Sequence, residues 1–102
     1  MGIKKQYLKS KPECKVTFTL PKEAVGGAKK VTLVGEFNDW SETNTPLKKM
    51  KNGSASTSLN LSAGREYQYR YLLDGKTWEN DWQADKYVPS GIPGVDNSVV
   101  IL

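Results

Sequence analysis

Glu66–Leu73 reads Glu-Tyr-Gln-Tyr-Arg-Tyr-Leu-Leu, with an apolar side chain at every second position. In an extended chain that period puts Tyr67, Tyr69, Tyr71 and Leu73 on one face and Gln68, Arg70 and Leu72 on the other. The same alternation joins Val16, Phe18 and Leu20, and then Val31 and Leu33. Helical periodicity is almost absent, so the chain is predicted to be all-β. The tyrosine face is read as core rather than site.

Chain breakers divide these runs. Pro21 cannot donate to a ladder and ends the first strand, and residues 22–30, with Gly26-Gly27, form a connection. Asn52-Gly53, a pair suited to tight hairpins, sits between residues 47–51 and 54–61, with Thr57, Leu59 and Leu61 predicted to point inward. Ala63-Gly64 and Asp74-Gly75 mark further turns, Trp78 falls on a short strand, residues 81–96 read as a long irregular loop, and residues 98–102 close the domain. About seven short strands without helices, in 102 residues, predict a single β-sandwich domain.

Charge is unevenly placed. Residues 1–30 hold eight lysines against Glu13 and Glu23, whereas residues 31–102 hold seven basic and nine acidic side chains. Residues 1–14 are accordingly read as a basic N-terminal arm, solvated and partly frayed, ahead of a domain over residues 15–102. The basic excess lies away from the aromatic runs, so neither nucleic acid nor membrane is the expected partner. No apolar run reaches the roughly 18 residues of a membrane span, and no secretory leader pattern follows Met1. With Cys14 as the single cysteine, no internal disulfide can form. A cytoplasmic location is the resulting expectation, as is a complete small protein.

The chain contains no histidine, which removes the usual transition-metal sets and the histidine-based nucleophile pairs. Asp74, Glu79, Asp81 and Asp85 could in principle supply a glycosidase pair, but they fall on turns of a small sandwich with little room for a cleft. The expectation is a non-catalytic protein with no cofactor and no metal. Binding chemistry is better supplied. A sugar ring has an apolar C–H face and a rim of hydroxyls, matched by an indole plane with polar groups beside it. Trp40, Trp78 and Trp82 provide planes; Asn38, Arg70, Lys76, Asp96 and Asn97 provide polar partners. Trp82 reads equally as an apolar plug beneath the loop that follows it.

Residues 31–40, with Gly35, Phe37, Asn38 and Trp40 in order, resemble the signature of carbohydrate-binding module family 48, the isoamylase N-terminal early-set domain. The resemblance continues through Asn52-Gly53, residues 59–64, residues 67–75 and Trp78, and ends at residues 94–99, covering residues 16–102. Domains of this family have an immunoglobulin-like early-set sandwich. They occur in glycogen branching and debranching enzymes and in the β subunit of AMP-activated protein kinase, and they recognise α-1,4-linked glucans such as glycogen and starch.

The resemblance implies that Trp40 and Trp78 are stacking platforms on either side of a shallow groove. It implies that Arg70 stands where a lysine bonds sugar hydroxyls, that Ile92 is an apolar residue set against the glucan, and that Asp96-Asn97 takes the place of an asparagine pair. Three features depart from the pattern: arginine at position 70, aspartate at position 96, and a longer loop over residues 79–95 that carries Trp82. Lys76 and Trp82 join the candidate site in second rank. The expected partner is an α-glucan. The alternative is a module that docks on a glucan-processing enzyme without binding sugar itself.

Overall fold

A computed structural model describes residues 3–102. Among these described residues nine strands run β1 (Ile3–Tyr7), β2 (Glu13–Leu20), β3 (Val31–Gly35), β4 (Lys48–Lys49), β5 (Ala55–Ser62), β6 (Glu66–Leu73), β7 (Thr77–Glu79), β8 (Lys86–Pro89) and β9 (Asp96–Ile101). One sheet has the order β1-β2-β5-β4. The other has the order β3-β6-β9-β8, with β7 also paired to β6, and every pairing is antiparallel. The predicted sandwich is therefore present, with two more strands than its sequence pattern announces.

The interior follows the alternation. Cys14, Val16, Phe18 and Leu20 of β2 meet Tyr67, Tyr69, Tyr71 and Leu73 of β6, all buried. Thr57 and Leu59 of β5 are half-buried and Leu61 is buried, so their inward face lies at the rim of the core. The Phe18 ring packs edge-on to Tyr69 with centroids 5.1 Å apart, and Tyr69 does the same to Tyr71 at 6.0 Å. Such pairs add to the stabilisation from area burial alone. Phe37, just past β3, leans back against Phe18 with centroids 5.6 Å apart.

Tyr69 donates its hydroxyl to Asp81 Oδ2 at 2.8 Å, while the Tyr71 hydroxyl is buried with no partner among the described residues. Burial first, and the Asp81 carboxylate second, push both hydroxyls above the ordinary tyrosine range. The unfolded chain releases these protons near pH 10, whereas the folded chain keeps them. This stabilisation is complete below about pH 10 and falls as pH rises further, by about 1.4 kcal/mol per unit for each tyrosine until its folded value is reached. Thermal unfolding followed by circular dichroism should show the midpoint falling steeply between about pH 10 and pH 11. A flat midpoint over that interval would contradict the buried arrangement.

Three segments differ from their sequence reading. Ile3–Tyr7, placed in the frayed basic arm, is paired along its whole length to β2, and Lys5 reaches Asp85 at 2.8 Å; Met1 and Gly2 lie outside the described residues. β8 lies inside the predicted irregular loop, held by β9 through pairs from Lys86↔Val99 to Pro89↔Asp96. The 22–30 connection contains a single helical turn, α1 (Lys22–Val25), that buries Ala24 and Val25. The Asn52-Gly53 hairpin forms, but only Gly53 takes a positive φ, 91°, and Met50 N–H bonds Ser54 at 2.8 Å. The loop thus has three residues rather than two.

Gly35 illustrates a packing requirement. Its backbone is extended, yet a Cβ there would lie 2.7 Å from the Gln68 carbonyl oxygen and 2.8 Å from the Phe37 ring and Tyr69 Cβ. Gly35→Ala is expected to cost about 1–3 kcal/mol by overpacking, read from the shift in urea midpoint. An unchanged midpoint would mean that β3 and β6 can part freely at this point.

Candidate functional site

Register assigns one set of side chains to the outer face of the second sheet. Val34 pairs with Arg70, Leu72 with Trp78, and Gln68 with Val99, so these six lie on the side opposite the core tyrosines. Asn97 belongs to the same face and donates Nδ2–H to Gln68 Oε1 at 3.0 Å. β6 runs through the centre of this face, with β3 along one flank and β7 and β9 along the other.

The Arg70 guanidinium lies 4.5 Å from the Trp78 ring centroid. Stacking of this kind orients both groups and suits the planar guanidinium better than an ammonium. Trp78 still exposes 38% of its surface. Together they open onto a shallow groove of about 340 Å³ whose other walls are Glu79, Asn80, Gly94, Val95 and Asp96. Asn80 ties the walls together, donating Nδ2–H to the Asp96 carbonyl at 2.9 Å and accepting from Ser98 Oγ at 2.7 Å. Arg70 Nε and Asn97 Oδ1 are buried without a hydrogen-bond partner among the described residues.

Trp40 does not line this groove. It follows the end of β3, its N–H bonded to the Gly35 carbonyl at 2.8 Å, with 37% of its surface exposed. Its loop is built by Asn38, which was expected to meet ligand but is fully engaged by its own chain. Asn38 Nδ2 donates to the Leu33 carbonyl at 2.9 Å and to Thr45 Oγ1 at 3.0 Å. Its Oδ1 accepts from the N–H groups of Gly35 at 3.1 Å and Ser41 at 3.2 Å. Asp39 and Trp40 both take left-handed backbone angles, φ 56° and 58°, which non-glycine residues adopt only where surroundings enforce them.

The remaining candidates separate. Asp96 lines the groove and is exposed, whereas Asn97 is 5% exposed and supports the sheet face behind it. Ile92, 58% exposed, stands at the tip of the β8–β9 hairpin whose far limb forms a groove wall. Lys76 is an exposed turn residue, its N–H bonded to the Leu73 carbonyl at 3.0 Å, and lies outside the groove. Trp82 is neither a plug nor part of this groove: it is 53% exposed and lines a different cleft. Glu79, Asn80, Gly94 and Val95 were missed as lining residues. Their nearness to Trp78 and Asp96 in sequence was the available signal.

The four carboxylates weighed for catalysis are all committed to local structure. Asp74 Oδ1 accepts both Lys29 and Lys30 N–H at 2.9 Å, and Asp81 is buried between Tyr69 and the Gln83 N–H. Asp85 takes Lys5 and the Ile101 N–H, and Glu79 Oε1 takes the Trp82 indole at 3.2 Å. None of these contacts poises an acid opposite a base.

The family model for the glycogen recognition site of AMP-activated protein kinase matches residues 8–91, which include the Trp40 loop and the groove residues from Arg70 to Asn80. The chain belongs to this glycogen-recognition family. The β-1 subunit of 5'-AMP-activated protein kinase from Sus scrofa is 37% identical over 76 residues, which cover 74% of this chain and 57% of that protein. The β-1 subunits from Rattus norvegicus and Homo sapiens are each 36% identical over 76 residues, covering 74% of this chain and 26% of theirs. The chain thus corresponds to between about a quarter and somewhat over half of the length of these relatives. Within this glycogen-recognition domain, the outer face of the second sheet carries the groove, with Trp78 and Arg70 stacked at its side.

Proposed function

We propose that this domain binds α-1,4-linked glucans without acting on them chemically, using Trp78 and Trp40 as stacking surfaces on either side of β6. The observation that carries the reading is the Arg70 guanidinium stacked 4.5 Å from the Trp78 ring at the side of an open groove. One face of the indole is braced by the cation, the exposed remainder is offered to a sugar C–H face, and guanidinium N–H groups are held where ring hydroxyls would lie. Asp96 accepts hydroxyl protons from the groove wall, Asn97 backs the sheet face, and Ile92 adds apolar contact from the hairpin tip. Family membership supports the ligand class. In this reading the domain carries whatever it is joined to, or associated with, onto glucan.

A shallow site for a few glucose units binds weakly, roughly micromolar to millimolar, because ligand ordering and polar desolvation offset much of the contact energy. The ligand is neutral, so affinity should change little with salt. The test is an amide chemical-shift titration with maltoheptaose, with cellohexaose as a matched control. Saturable shifts at Trp40, Arg70, Trp78 and Asp96 with maltoheptaose alone are expected. Silence at millimolar maltoheptaose would reject glucan binding by this face.

A further inference from the structure

Trp82 is the most open tryptophan of the domain, 53% exposed against 37% for Trp40 and 38% for Trp78. Its indole is nevertheless anchored. Nε1 donates to Glu79 Oε1 at 3.2 Å, and the preceding residue, Asp81, is fixed from three directions. Asp81 N–H bonds Ser98 Oγ at 2.9 Å, Oδ2 accepts the Tyr69 hydroxyl at 2.8 Å, and Oδ1 accepts the Gln83 N–H at 2.9 Å. An exposed aromatic surface beside so rigid a base loses little freedom when a ligand settles on it.

The cleft beside this indole measures about 760 Å³, against about 340 Å³ for the groove at Trp78. Pro21 and Lys22, from the end of the first sheet, line it with Trp82, as do Glu23 and Asn52. The Lys22 ammonium, the Glu23 carboxylate and Asn52 Nδ2 form no hydrogen bond among the described residues. Lys22 and Glu23 offset each other and the buried Asp81 carboxylate leaves the lining weakly negative, so the wall offers both donors and acceptors while disfavouring anions. An aromatic plane, a proline ring and a mixed, weakly negative polar wall match a neutral polyhydroxylated ring better than a phosphate or an acidic peptide.

The two grooves lie back to back on one loop. Glu79 and Asn80 line the first, Asp81 and Trp82 line the second, and the Glu79 carboxylate that borders the first holds the indole of the second. We infer that the cleft between Trp82 and Pro21 is a second α-glucan site, which makes this domain bivalent. The ligand class rests on the glucan reading of the Trp78 groove. Short oligosaccharides fill the two sites independently, whereas a branched polymer engages both and gains from the high effective concentration of the second contact.

Titration of the 102-residue chain with maltotriose, following indole and backbone resonances, tests this. In the unmodified chain the Trp82 indole and the amides of Lys22 and Asn52 should shift saturably. In Trp78→Ala these shifts should persist while Val95 and Asp96 fall silent. In Trp82→Ala the pattern should reverse, which also reports that the variant is folded, and retention in a glycogen-containing native gel should weaken about tenfold or more. A motionless Trp82 at maltotriose concentrations that saturate the Trp78 groove overturns the second site and leaves the first intact. Loss of the Trp82 shifts in Trp78→Ala also overturns it, since one continuous site is then present. Shifts confined to Trp82 support the second site and remove the reading of the first groove, and silence at both rejects the two together.

Discussion

Tyr69→Ala should cost this domain about 3–5 kcal/mol from the lost ring alone, a large share of the 5–15 kcal/mol that holds a typical domain folded. The ring is fully buried and touches Phe18 and Tyr71 edge-on, so its removal opens a cavity between the sheets. The hydroxyl adds a separate contribution. It is the donor to Asp81 Oδ2, and without it a carboxylate that is 1% exposed loses a hydrogen-bond partner. That loss costs a further 1–3 kcal/mol or so. Tyr69→Phe isolates this second contribution by keeping the ring. Urea unfolding of both variants separates the two parts, and a loss below about 1 kcal/mol for the alanine variant would be irreconcilable with a ring locked between two sheets.

Trp78→Ala should abolish glucan binding at the Arg70 groove, read at Val95 and Asp96, while leaving cooperative unfolding nearly unchanged. Trp78 lies on the outer face of the sheet with more than a third of its surface exposed, and its principal contact is the Arg70 guanidinium. Truncation therefore removes a stacking plane and releases Arg70 from the position that aims it, two losses from one substitution. Stacking surfaces of this kind concentrate binding energy, and at least a hundredfold loss, about 2.7 kcal/mol, is the expected scale. Trp40→Ala should act in the same direction. An Asn38→Ala variant should imitate it without approaching sugar, because Asn38 holds the left-handed turn that presents Trp40. Amide titration with maltoheptaose at Val95 and Asp96 gives the affinity of this groove, and thermal melts give the control. Undiminished shifts at Val95 and Asp96 in Trp78→Ala would remove the indole from the groove's binding surface.

The legible parts of this chain were those whose meaning is local. Alternation in Glu66–Leu73 needs no partner strand to reveal which tyrosines turn inward, and Asp74-Gly75 declares its turn by residue type, both residues taking positive φ. Trp78 was legible for the same reason, as an aromatic beside a turn. What escaped depends on pairings that are distant along the chain. Ile3–Tyr7 is a strand because β2 receives it and because Lys5 finds Asp85, a contact across 80 positions that no nearby residue announces. Lys86–Pro89 carries a proline and little alternation, and only β9 makes it a strand. Trp82 posed a different difficulty. Four positions from Trp78, it could be grouped with that groove, but the burial of Asp81 turns the loop over and delivers the indole to another cleft.

The margins of the sheets bear on how such a domain behaves in company. A protein that collects on a polymer works at high local concentration, where any long, bare strand at the border of a sheet invites a neighbouring copy to zip onto it. Here one border, β4, is only two residues long and both are lysines, and the opposite border, β1, carries two lysines in its five residues. Exposed Lys4 thus disfavours an incoming strand, while Lys5 completes the fold through Asp85. On the glucan surface proposed above, this basic border would hold neighbouring copies apart.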